Sequence, residues 1–507
     1  MDFSKAFDRV DRGLLWTKLE MLGLRQSKFL TAVKALYQNV ECSVRVNGFL
    51  SDWFEVTTGL KQGCLISPLL FSLYINDLYD EIKSQELGVT AGDDLICMLM
   101  YADDVCFIAE TEQDLQAMLN TLDSWCTKWK LQVNAKKTQV VHFRYGPSVN
   151  RTTFQFTCGV DCIKVVDKYR YLGLVFSEFL NFELMVKTVA QAAHRALGLL
   201  IAKDKVQGGM PFSCFSKLFD QLVQPIIDYG AGIWGHKSFS SISRVQYRAA
   251  RYYLGLGPKT PLPVLYGDTG WKQPDHRMWL CTIRQWRRLA NMDDTRLNKK
   301  VFIWGQSKRN YLRNIKAFMS QHNMDNLLAL DTNCMPREAA DLLNDVLTSY
   351  YEDQWRIKIN QIEGVHGTGQ NKLRTYRQFK QQPCCEPYVK TIMSRKCRSA
   401  MAKIRSGTAP IRLETGRYER PVLPPQDRIC RLCDVQECES EEHFLIRCSQ
   451  YDDIRNEWFH AANNIDNTFF QKCDTEKLIF VICQPNLVNI SAKAICDMLN
   501  RRSYLLY

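Results

Sequence analysis

The stretch Met98 to Ala109, MLMYADDVCFIA, constrains this chain more than any other. Apolar and aromatic runs on either side of Ala102, Asp103 and Asp104 predict a tight β-hairpin with carboxylates at its tip. Adjacent like charges beside buried strands repel one another and resist desolvation, so such a tip persists where solvent or a bound cation compensates it. Two readings fit these letters alone: an acidic turn facing water, or part of a divalent-metal site.

The rest of the chain narrows the choice. At 507 residues and 46% hydrophobic side chains, there is room for roughly two to four domains with real cores. The net charge of +12 fits a polyanionic partner, and its distribution says more than its sum. From Asn371 to Arg405 ten basic residues stand against one acid, Glu386. Twenty cysteines are scattered through a large chain with no signal peptide, which points to a reducing intracellular compartment, nucleus and/or cytoplasm. The longest apolar run, Leu222 to Trp234, is interrupted by Asp228, so no membrane association is expected.

Local signals predict an α+β beginning followed by helices. Asp11 caps a helix with Leu14, Leu15, Leu19 and Leu22 on one face, ended by Gly23. A second helix spans Ser27 to Tyr37, and Asn47-Gly48 marks a hairpin turn. Ser67 as cap and Pro68 in the first turn open another helix, and Thr111 with Asp114 a fourth, whose Leu115, Met118, Leu119, Leu122, Trp125 and Trp129 read as core. Strands are expected at Gln139 to Phe143 and Tyr169 to Phe176, whereas Asp93-Asp94 reads as a solvated loop. From Glu183 onward the pattern is helical, with helices over Met185 to Lys203 and Ser213 to Tyr229, a Gly/Pro-rich loop over Gly255 to Asp275 and a linker at Gly364 to Gly369. The expected divisions are 1–182, 183–262, 263–363, a basic segment 364–429, a cysteine-rich element 430–451 and a helical tail 452–507.

Three stretches bear on the hairpin together. DFSKAFD at 2–8, GLKQGCLISPLLF at 59–71 and YADD at 101–104 resemble, in order and spacing, the palm motifs of reverse transcriptases. NAKKT at 134–138 resembles the lysine-bearing fourth palm motif, and YLG at 171–173 the primer-grip region. Within that group the chain resembles the non-LTR, or LINE-type, retrotransposon enzymes, and the likeness continues through QPIIDYGAGIWG at 224–235 and TGRYERPVLPPQDRICRLCD at 415–434.

The resemblance implies a palm, an antiparallel sheet with helices, followed by a helical thumb and a helical C-terminal region. It implies RNA-directed DNA polymerase activity on an RNA template with a DNA primer or target and deoxynucleotides. Asp2, Asp103 and Asp104 would hold Mg²⁺ (or Mn²⁺), with Phe3, Phe7, Gln62, Gly63 and Lys137 contacting substrate. Elementary chemistry agrees: nucleotidyl transfer uses two cations, and Mg²⁺ prefers carboxylates, phosphate oxygens and water. Outside the resemblance, Phe7 reads equally as core packing and Lys137 as a surface lysine.

A second constellation, CRLCDVQECESEEHFLIRC, spaces Cys430, Cys433, His443 and Cys448 as C-x2-C-x9-H-x4-C. Four such ligands in two pairs suit a closed structural Zn²⁺ site, with Cys438 as an alternative ligand and a cysteine-rich apolar patch as the alternative reading. It resembles the CCHC element of LINE-type proteins. Beside the basic segment, such an element suits phosphate contacts.

Members of that family carry a fingers subdomain before the first palm motif, often preceded by an endonuclease. Here Asp2 follows Met1 directly, so the resemblance implies a truncated copy with fingers and endonuclease missing and little polymerase activity on its own. A catalytically inactive relic that only binds RNA or DNA is the alternative.

Overall fold

The structure, a computed structural model, describes residues 1–25, 27–308, 311–321, 323, 325, 336–361 and 372–506. They form two compact units, Met1–Leu184 with Met292–Lys308, and Met185–Asn291 with Arg309–Tyr507.

The first unit is α+β. Its helices start where polar side chains satisfy free backbone amides: Asp11 accepts from Leu14 at 3.0 Å, Ser27 from Leu30 at 3.1 Å and Thr111 from Asp114 at 3.1 Å. Leu15 and Leu19 of the helix Arg12–Leu19 are buried as expected, and Lys18 is buried with them. Its ammonium lies 3.6 Å from the centre of the Trp129 ring and 2.6 Å from Asp77, and burial pulls its pKa down to about 8. Leu22 is exposed, because the helix passes into a π turn, Glu20–Leu24, that breaks at Gly23 with φ +89°. The helix Ser67–Lys83 has Pro68 in its first turn, but Ser67 is not its cap: the hydroxyl donates to the Lys61 carbonyl at 2.7 Å. This helix packs on Glu112–Lys128 over a core that includes Phe71, Leu78, Leu122 and Trp125.

The strands are short and mostly hairpins. Arg45–Val46 pairs with Phe49–Leu50 about Asn47 and Gly48, both at positive φ. Met98–Tyr101 pairs antiparallel with Asp104–Phe107, the predicted acidic hairpin. Asp93-Asp94 is also at a hairpin tip rather than in a loop, since Val89–Ala91 pairs with Asp94–Ile96. Its charge is answered locally by Lys300, 2.8 Å from Asp94. The strand expected over Tyr169 to Phe176 is a hairpin of Lys168–Tyr171 with Leu174–Ser177, turned at Leu172-Gly173. The strand expected over Gln139 to Phe143 forms as Gln139–Val141, in a three-stranded sheet with Asp161–Val166 and Phe156–Cys158, two strands that the pattern did not announce.

The second unit is helical. The helix expected over Ser213 to Tyr229 forms as Phe212–Leu218, a π turn Phe219–Val223 and Gln224–Asp228, the register change falling just before Pro225, which has no amide hydrogen to donate. The Gly/Pro-rich stretch is not only loop: Leu262–Thr269 is a buried helix carrying Asp268 at 0% exposure. The phenols of Tyr376 and Tyr388 donate to Asp268 at 2.9 and 2.7 Å, and the Arg405 guanidinium lies 3.3 Å away. The linker expected at Gly364 to Gly369 lies outside the described residues. Among the described residues no single helix is long and apolar enough to cross a membrane.

Candidate active site and metal centre

Chain-distant segments converge at the acidic hairpin. Residues Met1 to Ser4 run as an extended piece between the strand Asp104–Phe107 and residues 132–134: Val105 donates to the Met1 carbonyl at 3.3 Å, Phe3 bridges Val133, and Asn134 donates its amide to the Asp2 carbonyl at 2.8 Å. Asp2 is thereby held although little strand surrounds it. Its carboxylate accepts from the Asn134 side-chain amide at 3.1 Å and lies 3.5 Å from the Lys137 ammonium. Asp103 occupies the two-residue turn of the hairpin beside Ala102, whose φ of +53° is costly for a residue with a Cβ. Such outliers concentrate at functional turns.

The electrostatics connect the three acids. Burial pushes the Asp104 carboxyl up, the neighbouring Asp103 adds to this, Asp2 adds less, and Lys137 opposes it. Asp103 and Asp2 thus both lie close enough to Asp104 to disfavour its charge.

Two comparisons bear on this arrangement. Residues 1–176 match the family model described as reverse transcriptase (RNA-dependent DNA polymerase). Residues 1–176 are a reverse transcriptase domain. The chain is 22% identical to the RNA-directed DNA polymerase from mobile element jockey of Drosophila melanogaster, over 50% of this chain and 27% of that protein. It is 29% identical to the Pol polyprotein from type-2 retrotransposable element R2DM of the same species, over 35% of this chain and 17% of that protein. A Pol polyprotein from type-1 retrotransposable element R2 of Nasonia vitripennis is 24% identical, over 35% and 18%. The chain thus spans about a quarter or less of the length of these relatives.

In the reverse transcriptase domain the other expected substrate residues divide. Phe7 is half-buried, its ring stacked on Phe71 with centroids 4.7 Å apart. Gln62 and Gly63 are exposed, and Gln62 donates to Asp8 at 3.0 Å, tying its loop to the turn that carries Phe7. Gly63 takes φ +78° with open space where a Cβ would stand. Lys137 is 69% exposed and its ammonium faces Asp2. Phe3 departs from the expectation of substrate contact: it is 3% exposed, because alternation along the strand turns it away from the Asp2 face and into the core against Phe71 and Trp125. Sequence reasoning missed Asn134, whose side chain orients Asp2 and whose carbonyl accepts from Lys137 and Thr138 at 3.0 and 2.9 Å. Its signal was present, an Asn opening the NAKKT turn.

The second cluster lies in the helical unit. The ligand atoms of Cys430, Cys433, His443 and Cys448 all fall within 4.8 Å of one another. The cysteine pair sits on a hairpin closed by the Ile429–Cys438 bridge and by Cys430 donating to the Glu437 carbonyl at 2.8 Å; the His/Cys pair flanks the turn His443–Arg447. His443 Nε2 lies 3.3 Å from the Cys433 sulfur, and Nδ1 is 3.2 Å from Glu437. Hydrogen bonding from Cys448 and then His443 draws the Cys430 thiol well below its ordinary range. Cys438 stands outside the quartet, pushed up by burial.

The basic segment behaves differently from a solvated stripe. Lys372 pairs with Glu414, Arg374 with Glu441, Lys380 with Glu386, and Arg405 with Asp268 and Glu386. Much of the run's charge is answered inside the fold, by its own Glu386 and by Asp268, Glu414 and Glu441 outside it.

Proposed function

We propose that this chain copies RNA into DNA by two-cation nucleotidyl transfer at Asp2, Asp103 and Asp104, as part of a retrotransposon polymerase. In this reading residues 1–182 are the palm, the helices of 183–262 the thumb, and RNA template, DNA primer or target and deoxynucleotides are the partners. The observation that carries it is the convergence of Asp2 with the Asp103-Asp104 tip, in a field that raises the proton affinity of Asp104. Mg²⁺ (or Mn²⁺) held by these carboxylates would activate the primer hydroxyl and neutralise the departing pyrophosphate.

The remaining side chains bind and orient. Lys137, facing Asp2, offers its ammonium to the nucleotide phosphates, where fixed positive charge favours the developing anion. Gln62 and the open backbone at Gly63 support template and incoming nucleotide, and the exposed part of Phe7 excludes a 2′ hydroxyl. Cys430, Cys433, His443 and Cys448 hold structural Zn²⁺: three thiols and an imidazole form a closed tetrahedral donor set, and Glu437 behind His443 is the carboxylate partner that such a ligand favours. The protein acts inside the cell, in nucleus or cytoplasm.

Primer extension on an RNA template with Mg²⁺ and deoxynucleotides, run with the chain in excess over primer so that slow synthesis is visible, tests the reading. Asp103→Asn should lower extension a hundredfold or more, since it removes a charge on which several kcal/mol of transition-state stabilisation depend, while leaving primer-template binding intact. No extension by the wild-type chain, or equal extension by the variant, overturns it; binding without extension would assign nucleic-acid binding alone.

A further inference from the structure

Four cations of the basic segment that form no ion pair among the described residues share one helix. Arg395, Lys396, Arg398 and Lys403 lie on the helix Arg395–Arg405, which packs against the helix Ser240–Leu254. The approach is close because Gly255, with φ +66°, leaves no Cβ to meet Ser399, whose hydroxyl donates to the Gly255 carbonyl at 2.7 Å. Beside this contact lie two adjoining hollows of about 300 and 750 Å³, both lined by Tyr252 and Arg395, the larger also walled by Leu499 of the C-terminal helix. Arg251 and Lys403 line the larger, Arg398 the smaller.

Among the described residues none of Arg251, Arg395, Lys396, Arg398 and Lys403 forms an ion pair. Arg398, 6% exposed, lines the smaller hollow with Nη1 donating to the Tyr253 hydroxyl at 2.6 Å, while its Nε and that of Arg251 are buried without a hydrogen-bond partner. Guanidiniums held there without a carboxylate partner leave fixed positive charge in the walls of the hollows. The one acid in the lining, Asp204, is already engaged, by the Tyr252 phenol at 2.7 Å and the Met210 amide at 2.8 Å. The Arg395 guanidinium lies over the Tyr252 ring, 4.2 Å from its centre, and donates to the Tyr252 carbonyl at 3.1 Å. Its outer face is exposed and planar, a surface on which a base can stack.

We infer that this trough binds a single strand of nucleic acid, its phosphodiester backbone on Arg251, Arg395, Lys396 and Lys403 and a base against Arg395. From Arg395 to Lys403 the helix rises about 12 Å, longer than one phosphate and suited to a backbone that repeats its charge. A single strand, whose bases are free to unstack, can place one against Arg395 while its backbone follows these cations. This site lies in the helical unit and needs none of the carboxylates of the polymerase reading.

Anisotropy of a 5′-labelled single-stranded 20-mer bound to the full chain over a range of salt tests it. In the triple variant R395E/K396E/K403E the affinity should fall at least tenfold, and the slope of log affinity against log salt should shrink by about 2, since each phosphate contact on a single strand contributes about 0.7. The D103N chain should bind as wild type does, which separates this test from any failure of the polymerase reading. Should the triple variant melt early, K396A alone and photocrosslinking of a 4-thiouridine strand decide, with adducts expected among residues 251–257 and 395–403. An unchanged slope in a well-folded variant, crosslinks confined to residues 1–176 or 430–448, tighter binding of a blunt duplex, or displacement by inorganic tripolyphosphate at matched phosphate concentration would each overturn it.

Discussion

Gly59 shows how closely the first unit is built around its acidic turn. With φ +81°, it brings its backbone so near the turn after Asp2 that an added Cβ would stand 2.7 Å from the Asp8 carbonyl. Backbone hydrogen bonds repeat on either side, Gly59 donating to Val10 at 2.9 Å and Leu60 to Phe7 at 2.8 Å. Neither the dihedral nor the contact tolerates a side chain, and Asp8 cannot retreat without moving Phe7. Gly59→Ala should therefore destabilise the chain by roughly 1–3 kcal/mol, read as a lower urea midpoint, and should slow primer extension beyond what the lost stability explains. Gly63→Ala, strained in dihedral but free of contact, should cost less; an equal cost would sink the argument from Asp8.

At the scale of elements, the cysteine hairpin and the His443–Arg447 turn each present one ligand pair, and neither has an extensive core of its own. What brings the pairs together is the fold around them: Glu439 donates to Arg428 at 3.0 Å across the hairpin and accepts from Arg502 of the C-terminal helix at 2.7 Å. Zinc content measured by atomic absorption should approach one ion per chain and be lost in Cys433→Ser. Glu437→Gln should keep that stoichiometry and weaken zinc affinity about 10–100-fold against a chromogenic chelator, because it removes the carboxylate that orients His443. Full occupancy with unchanged affinity in Glu437→Gln would remove the orienting role.

Across the whole molecule, the helical unit holds polar side chains that only long-range packing satisfies. His276 is one of them. It is buried, with Nε2 3.3 Å from the Thr348 hydroxyl, and burial, helped by Lys272, pulls its pKa down from 6.5 to about 4. The unfolded chain then binds the proton more readily than the folded one, so acid favours unfolding. Stability from this residue is fully present above pH 6.5 and falls as pH drops towards 4, by about 3 kcal/mol in total. Urea midpoints between pH 7.5 and 4.5 should show that decline in the wild type and a shallower one in His276→Gln; parallel curves would refute it.

Local patterns carried the first unit a long way. The 98–107 hairpin, the caps Asp11 and Thr111, the helix after Ser27 and the Asn47-Gly48 turn were legible because each depends on residues a few positions apart, where backbone geometry links neighbours directly. Leu22 and Ser67 were misread for a related reason: a π turn and a donor to Lys61 change the register by less than a periodicity can register. What the letters could not decide was where charge ends. Ten basic residues in a row of thirty-five look alike in one dimension, yet Arg405 is enclosed by Asp268, 137 positions away, while Arg395 faces an open trough. The acid tip and the ligand spacings belong to the sequence. Which carboxylates share a field, which cations remain unanswered and that Phe3 is core depend on contacts between distant segments, and only the tertiary structure sets those.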